Sequence, residues 1–385
     1  MENLYFKEEH KMLRDMVRDF ARNEVKPLAQ ELDESGGFPH ESVEKMAELG
    51  LMGIPWEEKY GGTGMDTLAL VIAIEELGKV CPSTGATMMA HTSLGTAPIA
   101  LFGTDEQKEK YLPGLASGKK IGAFGLTEPN AGSDAGNTQT RAVLEGDEYI
   151  VNGEKAFCTN AGVASVMIFT AVMVEEGEEK GISAFVIDAD TEGMSVNPPE
   201  KKMGWCGSDT RSVFFKDMRV PISAVLGNPS KGFTQFLKTL TGGRITIGAL
   251  GLGTAQGGYL KALEYSQERE AFGKPINAFQ GISFKLSDMA TQIEAARHLV
   301  YYAAWKKDQG LPVIREAAMA KLFSSETAMK VTTEAIQVLG GFGYIKEYDV
   351  ERFFRDAKIL EIGEGTSEVQ RIIIAREIFK NIQNI

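Results

Sequence analysis

The apolar residues of this 385-residue chain change their period twice, and that change limits the folds open to it. Up to residue 118, Leu13, Met16, Val17, Phe20 and Val25 recur at three-to-four spacing with charges between them, the pattern of one buried helix face. The run from Leu68 to Leu77 reads as a fully buried helix, and Pro39 and Gly61-Gly62 punctuate helix ends. Between 119 and 228 the signal becomes short strands: Arg141–Leu144, Glu148–Val151, Lys155–Cys158, Met167–Val172, Ile182–Ile187 and Ser212–Phe215. Glu145-Gly-Asp147 reads as a hairpin turn and Asn152-Gly153 as a second turn. From 229 to 385 the pattern is helical again. Ile282, Leu286, Met289, Ile293, Ala296 and Val300 form a seam suited to bundle packing. Strands without long alternating helices exclude a Rossmann sheet. The expected class is α+β, mostly α: an N-terminal helical domain (1–118), a middle antiparallel β-barrel or sandwich (119–228) and a C-terminal four-helix bundle (229–385).

Composition excludes several functions. A net charge of −12 disfavours non-specific nucleic-acid binding, so an anionic ligand must meet local arginines or helix N-termini. Cys81, Cys158 and Cys206 form no close pair, and the four histidines (His10, His40, His91, His298) are scattered. Neither a disulfide framework nor a metal site is expected, and the default setting is reducing and intracellular. No apolar stretch approaches a membrane span, and no signal core follows the start. A cytoplasmic protein of a bacterium or archaeon, or a processed mitochondrial form, is expected. Residues 1–6, Met-Glu-Asn-Leu-Tyr-Phe, resemble part of a protease-cleavage tag.

Two glycine-rich segments invite a nucleotide reading. Gly251-Leu-Gly253 begins like a dinucleotide fingerprint, but the third glycine falls one residue late, at Gly257, in helical surroundings without a preceding strand. Tight helix packing explains these glycines better, and NAD is not expected. Leu126-Thr-Glu-Pro-Asn-Ala-Gly-Ser-Asp134 follows a strand and exposes backbone N–H groups and hydroxyls that can hold a pyrophosphate or a flavin edge. Taken alone, such a segment is more often an ordinary loop.

Seven landmarks, in order, resemble the acyl-CoA dehydrogenase family over almost the whole chain. They are Pro55–Gly64, Ala123–Asp134, Phe157-Cys-Thr-Asn160, Glu268–Gly273 with Phe279-Gln280, Ala335–Gly343, Arg355-Asp-Ala-Lys358 and Ile362-Gly-Glu-Gly-Thr-Ser-Glu-Val-Gln-Arg371. The flavour is that of the short- and medium-chain, butyryl-CoA dehydrogenase-like members. The resemblance implies FAD between the β domain and the C-terminal bundle, a homotetramer built as a dimer of dimers, an acyl-CoA substrate and an electron-transfer flavoprotein as partner. It implies that Phe124, Leu126, Thr127, Gly132 and Ser133 line the flavin, with Phe157 and Thr159 on its ring. Arg269, Phe272 and Gln280 would hold the pyrophosphate of a neighbouring subunit's cofactor. Gln337 and Gly341 would contact the adenosine end, and Thr366 and Glu368 the flavin nucleotide of their own subunit.

The resemblance makes Glu364 the catalytic base, with Gly363 and Gly365 letting the backbone approach a thioester. Without it, Glu364 reads as the N-terminal acid of the helix that follows. Ser133, Thr241 and Arg244 would lie beside the acyl-CoA; Arg244 reads otherwise as a helix-surface ion pair. Some relatives carry the base just before that arginine, but here the position is Gly243. Many have Tyr before the base and Asp at position 241, where this chain has Gly363 and Thr241. Losing the phenol should widen the acyl pocket toward branched, cyclic or aryl-bearing groups. Trp205 replaces a common Arg and either lines a site or caps the β domain. His91 reads as a satisfied core histidine near the acyl cavity. The implied reaction is oxidation of an acyl-CoA to the trans-2-enoyl-CoA. The same residues would also serve an enoyl-CoA reductase running in reverse. A third reading is a flavin-free scaffold relative.

Overall fold

The structure, a computed structural model, describes residues 4–380. The first three residues of the tag-like segment and the last five of the C-terminal region lie outside the described residues. The helical N-terminal part comprises α1 (Glu8–Phe20), α2 (Ala29–Ser35), α3 (His40–Glu48), α4 (Thr67–Gly78), α5 (Pro82–Ala90), α6 (Ala97–Phe102) and α7 (Asp105–Ala116). Every residue of α4 is buried, as its unbroken apolar run requires. Asp66 caps it, accepting from the Ala69 amide at 2.9 Å.

Strands β1 (Gly122–Gly125), β2 (Arg141–Glu145), β3 (Glu148–Thr159), β4 (Val166–Glu175), β5 (Glu178–Asp188), β6 (Met194–Val196), β7 (Thr210–Pro221) and β8 (Val225–Leu226) form one sheet. Its order is β6-β7-β3-β2-β4-β5-β8, with β1 on β4. Pairing is antiparallel except that β1 and β2 both run parallel to β4, at its first and second halves. The segment 126–140 is thus an excursion between two strands that share one partner.

The hairpin turn at Gly146-Asp147 forms as expected, with Gly146 at φ +68°. Asn152-Gly153 is not a turn. Strand β3 runs straight through it, and the ladder with β7 shifts register between Val151 and Gly153. Gly153 sits at φ +147°, and a Cβ there would lie 2.6 Å from Thr140 Oγ1. The glycine therefore serves close approach inside a strand.

The C-terminal part comprises α8 (Gly232–Glu268), a hairpin of β9 (Glu270–Ala271) and β10 (Lys274–Pro275), α9 (Gln280–Asp308), α10 (Ile314–Leu339), α11 (Val350–Lys358) and α12 (Ser367–Lys380). The expected seam on α9 is buried from Leu286 to Val300. Helix α8 is the spine, packing on α4, α9, α10 and α11. Its glycines permit this: a Cβ at Gly251 would sit 3.2 Å from the Ser324 carbonyl oxygen, at Gly253 2.4 Å from that of Glu75, and at Gly257 2.2 Å from the Phe353 ring. Helix packing, not a nucleotide, accounts for them.

In an unconstrained helix Gly→Ala gains about 1 kcal/mol. Here Gly253→Ala is expected to lose about 2 kcal/mol, because α4 and α8 must separate. Urea unfolding of the variant checks the sign; a gain in stability would contradict the close approach.

Candidate active site

Glu364 lies in the turn between a 3-10 segment, Ile359–Glu361, and α12. It adopts φ +53°, an uncommon conformation for a residue with a Cβ, and Gly365 follows at φ +92°. Helix α12 begins beyond it and is capped by Thr366, whose Oγ1 accepts from the Val369 amide at 3.3 Å. Glu364 is therefore not the helix's first-turn acid; Glu368 is, and it is exposed. Glu364 as a whole is half-buried, yet both carboxylate oxygens are buried and without a hydrogen-bond partner. The turn is held from behind: Lys321 Nζ donates to the Gly365 carbonyl at 2.7 Å, and Gln370 Nε2 donates to the carbonyls of Gly365 (2.9 Å) and Glu364 (3.3 Å).

The carboxylate faces α8. A Cβ built on Gly243 would fall 2.1 Å from Glu364 Oε2 and 3.4 Å from Leu94 Cδ2. The glycine thus leaves the space the acid fills. Arg244 beside it is buried, with Nε unpartnered, so it is not a helix-surface ion pair. Burial pushes the Glu364 carboxyl up to about 7, opposed by the charges of Lys321 and Arg244. Burial in turn lowers Lys321 to about 8 and pulls Arg244 below its ordinary value. A desolvated, unpartnered carboxylate tuned near neutrality is suited to taking a proton from carbon. Thr241 sits half-buried on the same helix, its hydroxyl donating to the Leu237 carbonyl at 3.1 Å.

Leu94 belongs to a π-helical turn, His91–Thr96. His91 opens that turn as a satisfied core histidine. Its Nε2 lies 3.0 Å from the Leu115 carbonyl, its Nδ1 accepts from the Gly122 amide at 3.1 Å, and burial holds it neutral with a pKa of about 4.

A second group lies on the β sheet. Strand β3 shifts register again between Lys155 and Cys158, where Phe157 stands at φ +57° and is 68% exposed. Thr159 pairs with Thr210 just beyond. The Ala156 amide donates to the Thr127 carbonyl at 2.8 Å, tying this bulge to the loop after β1. Phe124 stacks on Phe236 of α8 at 4.2 Å between ring centroids, and Leu126 packs in the same small core. Gly132 and Ser133 are exposed at the loop's tip. Sequence reading missed what holds the loop. Glu128, nearly fully buried, accepts from the Gln139 and Thr140 amides (2.6 and 3.1 Å) and pairs at 2.6 Å with the buried ammonium of Lys155.

A third group is elsewhere. Arg269 ends α8 in extended backbone, and Phe272 projects from the β9–β10 hairpin at φ +52°, 96% exposed. With Gly341 they line a groove of about 600 Å³, beside which Gln280 and Gln337 are exposed. Arg269 and Gly243 are separated by about 26 residues of α8, roughly 39 Å. Within one chain this groove and the Glu364 site are therefore distinct. Trp205, at φ +48°, is buried in the main helical core, its amide donating to Asp356 of α11 at 2.5 Å.

Comparison with known proteins bears on this arrangement. Family models described as the N-terminal, middle and C-terminal domains of acyl-CoA dehydrogenase match residues 7–119, 123–218 and 230–379. The chain belongs to the acyl-CoA dehydrogenase family of oxidoreductases and has its fold. It is 51% identical to the short-chain specific acyl-CoA dehydrogenase of Clostridium acetobutylicum, covering 97% of this chain and 98% of that one. It is 44% identical to the 3-(aryl)acrylate reductase of Clostridium sporogenes, over 98% and 100%. Among solved structures it resembles butyryl-CoA dehydrogenase from Megasphaera elsdenii (TM-score 0.95, 43% identity, 98% and 100% covered). It also resembles a chain from a study of the electron transferring flavoprotein of Acidaminococcus fermentans (TM-score 0.96, 44%, 98% and 100%).

Gly243→Ala is expected to displace the Glu364 carboxylate by about 1 Å and to lower turnover about 100-fold. Steady-state kinetics on a folded variant checks this; wild-type turnover would show that the carboxylate does not use that space.

Proposed function

We propose that this protein dehydrogenates an acyl-CoA to the trans-2-enoyl-CoA, with Glu364 as the base that removes the α-proton. The observation that carries this reading is the unpartnered, buried carboxylate of Glu364 opposite Gly243. Arg244 and Lys321 moderate its basicity, and burial desolvates it. The thioester carbonyl is polarised by the Glu364 backbone N–H, while Ser133, Thr241 and Arg244 lie along the CoA. FAD, when bound, accepts the β-hydride.

The residues present fit that cofactor. Phe157 offers an exposed aromatic face next to Ala156, whose amide is bonded to Thr127 of a loop fixed by Glu128. Phe124, Leu126, Thr127, Gly132, Ser133 and Thr159 are the residues we assign to the flavin. Thr366 and Glu368 serve the flavin nucleotide from the start of α12. The groove of Arg269, Phe272 and Gly341, with Gln280 and Gln337 at its margin, lies too far along α8 to serve the same dinucleotide. We assign it to the cofactor of a neighbouring copy in a homotetramer, an assignment that the exposure of Phe272 supports. An electron-transfer flavoprotein takes the electrons, as the likeness to the Acidaminococcus study supports. Domain limits at 118/119 and 228/229, and a cytoplasmic setting, complete the reading. Among the described residues no helix is long and apolar enough to cross a membrane.

The likeness to an arylacrylate reductase favours a second reading, reduction of an enoyl-CoA by the same residues. Midpoint potentials with substrate and product bound decide between the two directions.

Anaerobic titration of the purified protein with linear, branched, cyclic and aryl acyl-CoAs tests the class of reaction and the substrate together. Flavin bleaching is expected, and Glu364→Gln should slow it at least about 1,000-fold while keeping its flavin. Bleaching at the wild-type rate would remove Glu364 from the mechanism. Because Glu364 must be ionised, kcat/KM is expected to fall as pH drops through about 7. A flat profile from pH 5 to 9, limits chosen about two units either side, would contradict the tuned base.

A Cβ at Gly363 would meet nothing closer than the Ile359 carbonyl oxygen at 3.4 Å, an ordinary contact, so the backbone there has room for a side chain. Gly363→Tyr is expected to cut turnover of branched and aryl substrates about tenfold or more and to spare butyryl-CoA. Wild-type enzyme confined to linear chains would contradict the open pocket.

A further inference from the structure

Lys321 stands where nothing in the sequence pattern leads one to expect a charge. On α10 it follows Ala317 by one helical turn and precedes Ser325 by another, all on a buried face, and it is itself 0% exposed. A buried ammonium is unfavourable unless it is compensated. Its ammonium donates to the carbonyl of Gly365, the residue directly after the proposed base, at 2.7 Å. That bond lands on a turn in which Glu364 holds a positive φ uncommon for a residue with a Cβ, followed by Gly365.

We propose that Lys321 is the positioning residue of the base: it fixes the Glu364–Gly365 turn through the Gly365 carbonyl and supplies the buried positive charge against which Glu364 ionises. This rests on the reading of Glu364 as the base. The turn has a second clamp, Gln370, which donates to the Glu364 and Gly365 carbonyls but is neutral. Position and charge are therefore separable. The other charge acting on Glu364 is Arg244 from α8; Lys321 in turn feels Glu361 on the preceding turn and Glu368 from α12. Among the cations, Lys321 lowers the Glu364 carboxyl most, ahead of Arg244. Arg244 is itself opposed by Arg376.

The test follows Glu364 directly. Infrared pH titration of the flavin-loaded protein reads its carboxyl band, assigned by its loss in Glu364→Gln. In Lys321→Met, and in Lys321→Gln should the apolar variant fail to fold, the midpoint of Glu364 is expected to rise by about one pH unit or more. The acid limb of kcat/KM should move with it. Gln370→Met is expected to lower kcat while leaving both midpoints where they were. An unmoved infrared midpoint in both Lys321 variants would overturn the proposal and make Lys321 a plain structural clamp. A shifted infrared midpoint with an unmoved kinetic limb would uphold the coupling and overturn Glu364 as the base.

Discussion

The carboxylate of Glu364 and the missing side chain of Gly243 occupy the same space, and much of the molecule is arranged to keep that so. Helix α8 must pass close enough to the 362–366 turn for the acid to fill the gap, yet carry nothing at position 243 that would expel it. The glycines further along α8 set that closeness by letting backbones of α4 and α10 approach within contact distance. Relatives with the base just before the arginine would project it from α8 into this same space. Two sequence positions far apart thus offer one location for one carboxylate, and this chain fills it from the turn.

Helix α8 also explains how the site relates to the other candidate surfaces. Phe236, seven residues before Gly243, stacks on Phe124 and so ties strand β1 to α8 two helical turns from Gly243. Tyr265 and Arg269, at the far end, line the groove that one subunit's own site cannot reach. A single helix therefore spaces Phe124, the Glu364 carboxylate and the groove of Arg269 and Phe272. Three of the nine non-glycine residues at positive φ among the described residues are Phe157, Phe272 and Glu364, one in each group. At Glu364 the clamps from Lys321 and Gln370 hold that conformation, whereas Phe272, followed by Gly273 at φ +79°, has the ordinary geometry of a two-residue hairpin turn.

The helix–strand–helix order was legible because burial imposes a period, and α4, the β2–β3 hairpin and the α9 seam form where the pattern puts them. Asn152-Gly153 misled because a glycine demanded by a close approach to Thr140 looks, in sequence, like a turn. Glu364 was visible through its family motif, not through spacing: only the fold shows that its side chain turns inward rather than capping α12. Lys321, Gln370 and the Glu128–Lys155 pair were not found. Their partners are backbone carbonyls or residues 27 positions away, and such contacts leave no local mark. Lys321 alone left a trace, a charged residue on the small, apolar face of α10.

The central claim is that Glu364 removes a proton from the α-carbon of a bound thioester. Exchange of that proton with solvent reports the step itself, separately from flavin reduction. Butyryl-CoA incubated anaerobically with enzyme in D2O and followed by NMR should gain deuterium at the α-carbon with the wild-type protein. With Glu364→Gln, flavin still bound, it should gain none above the rate without enzyme. Exchange at the wild-type rate in that variant would contradict the account.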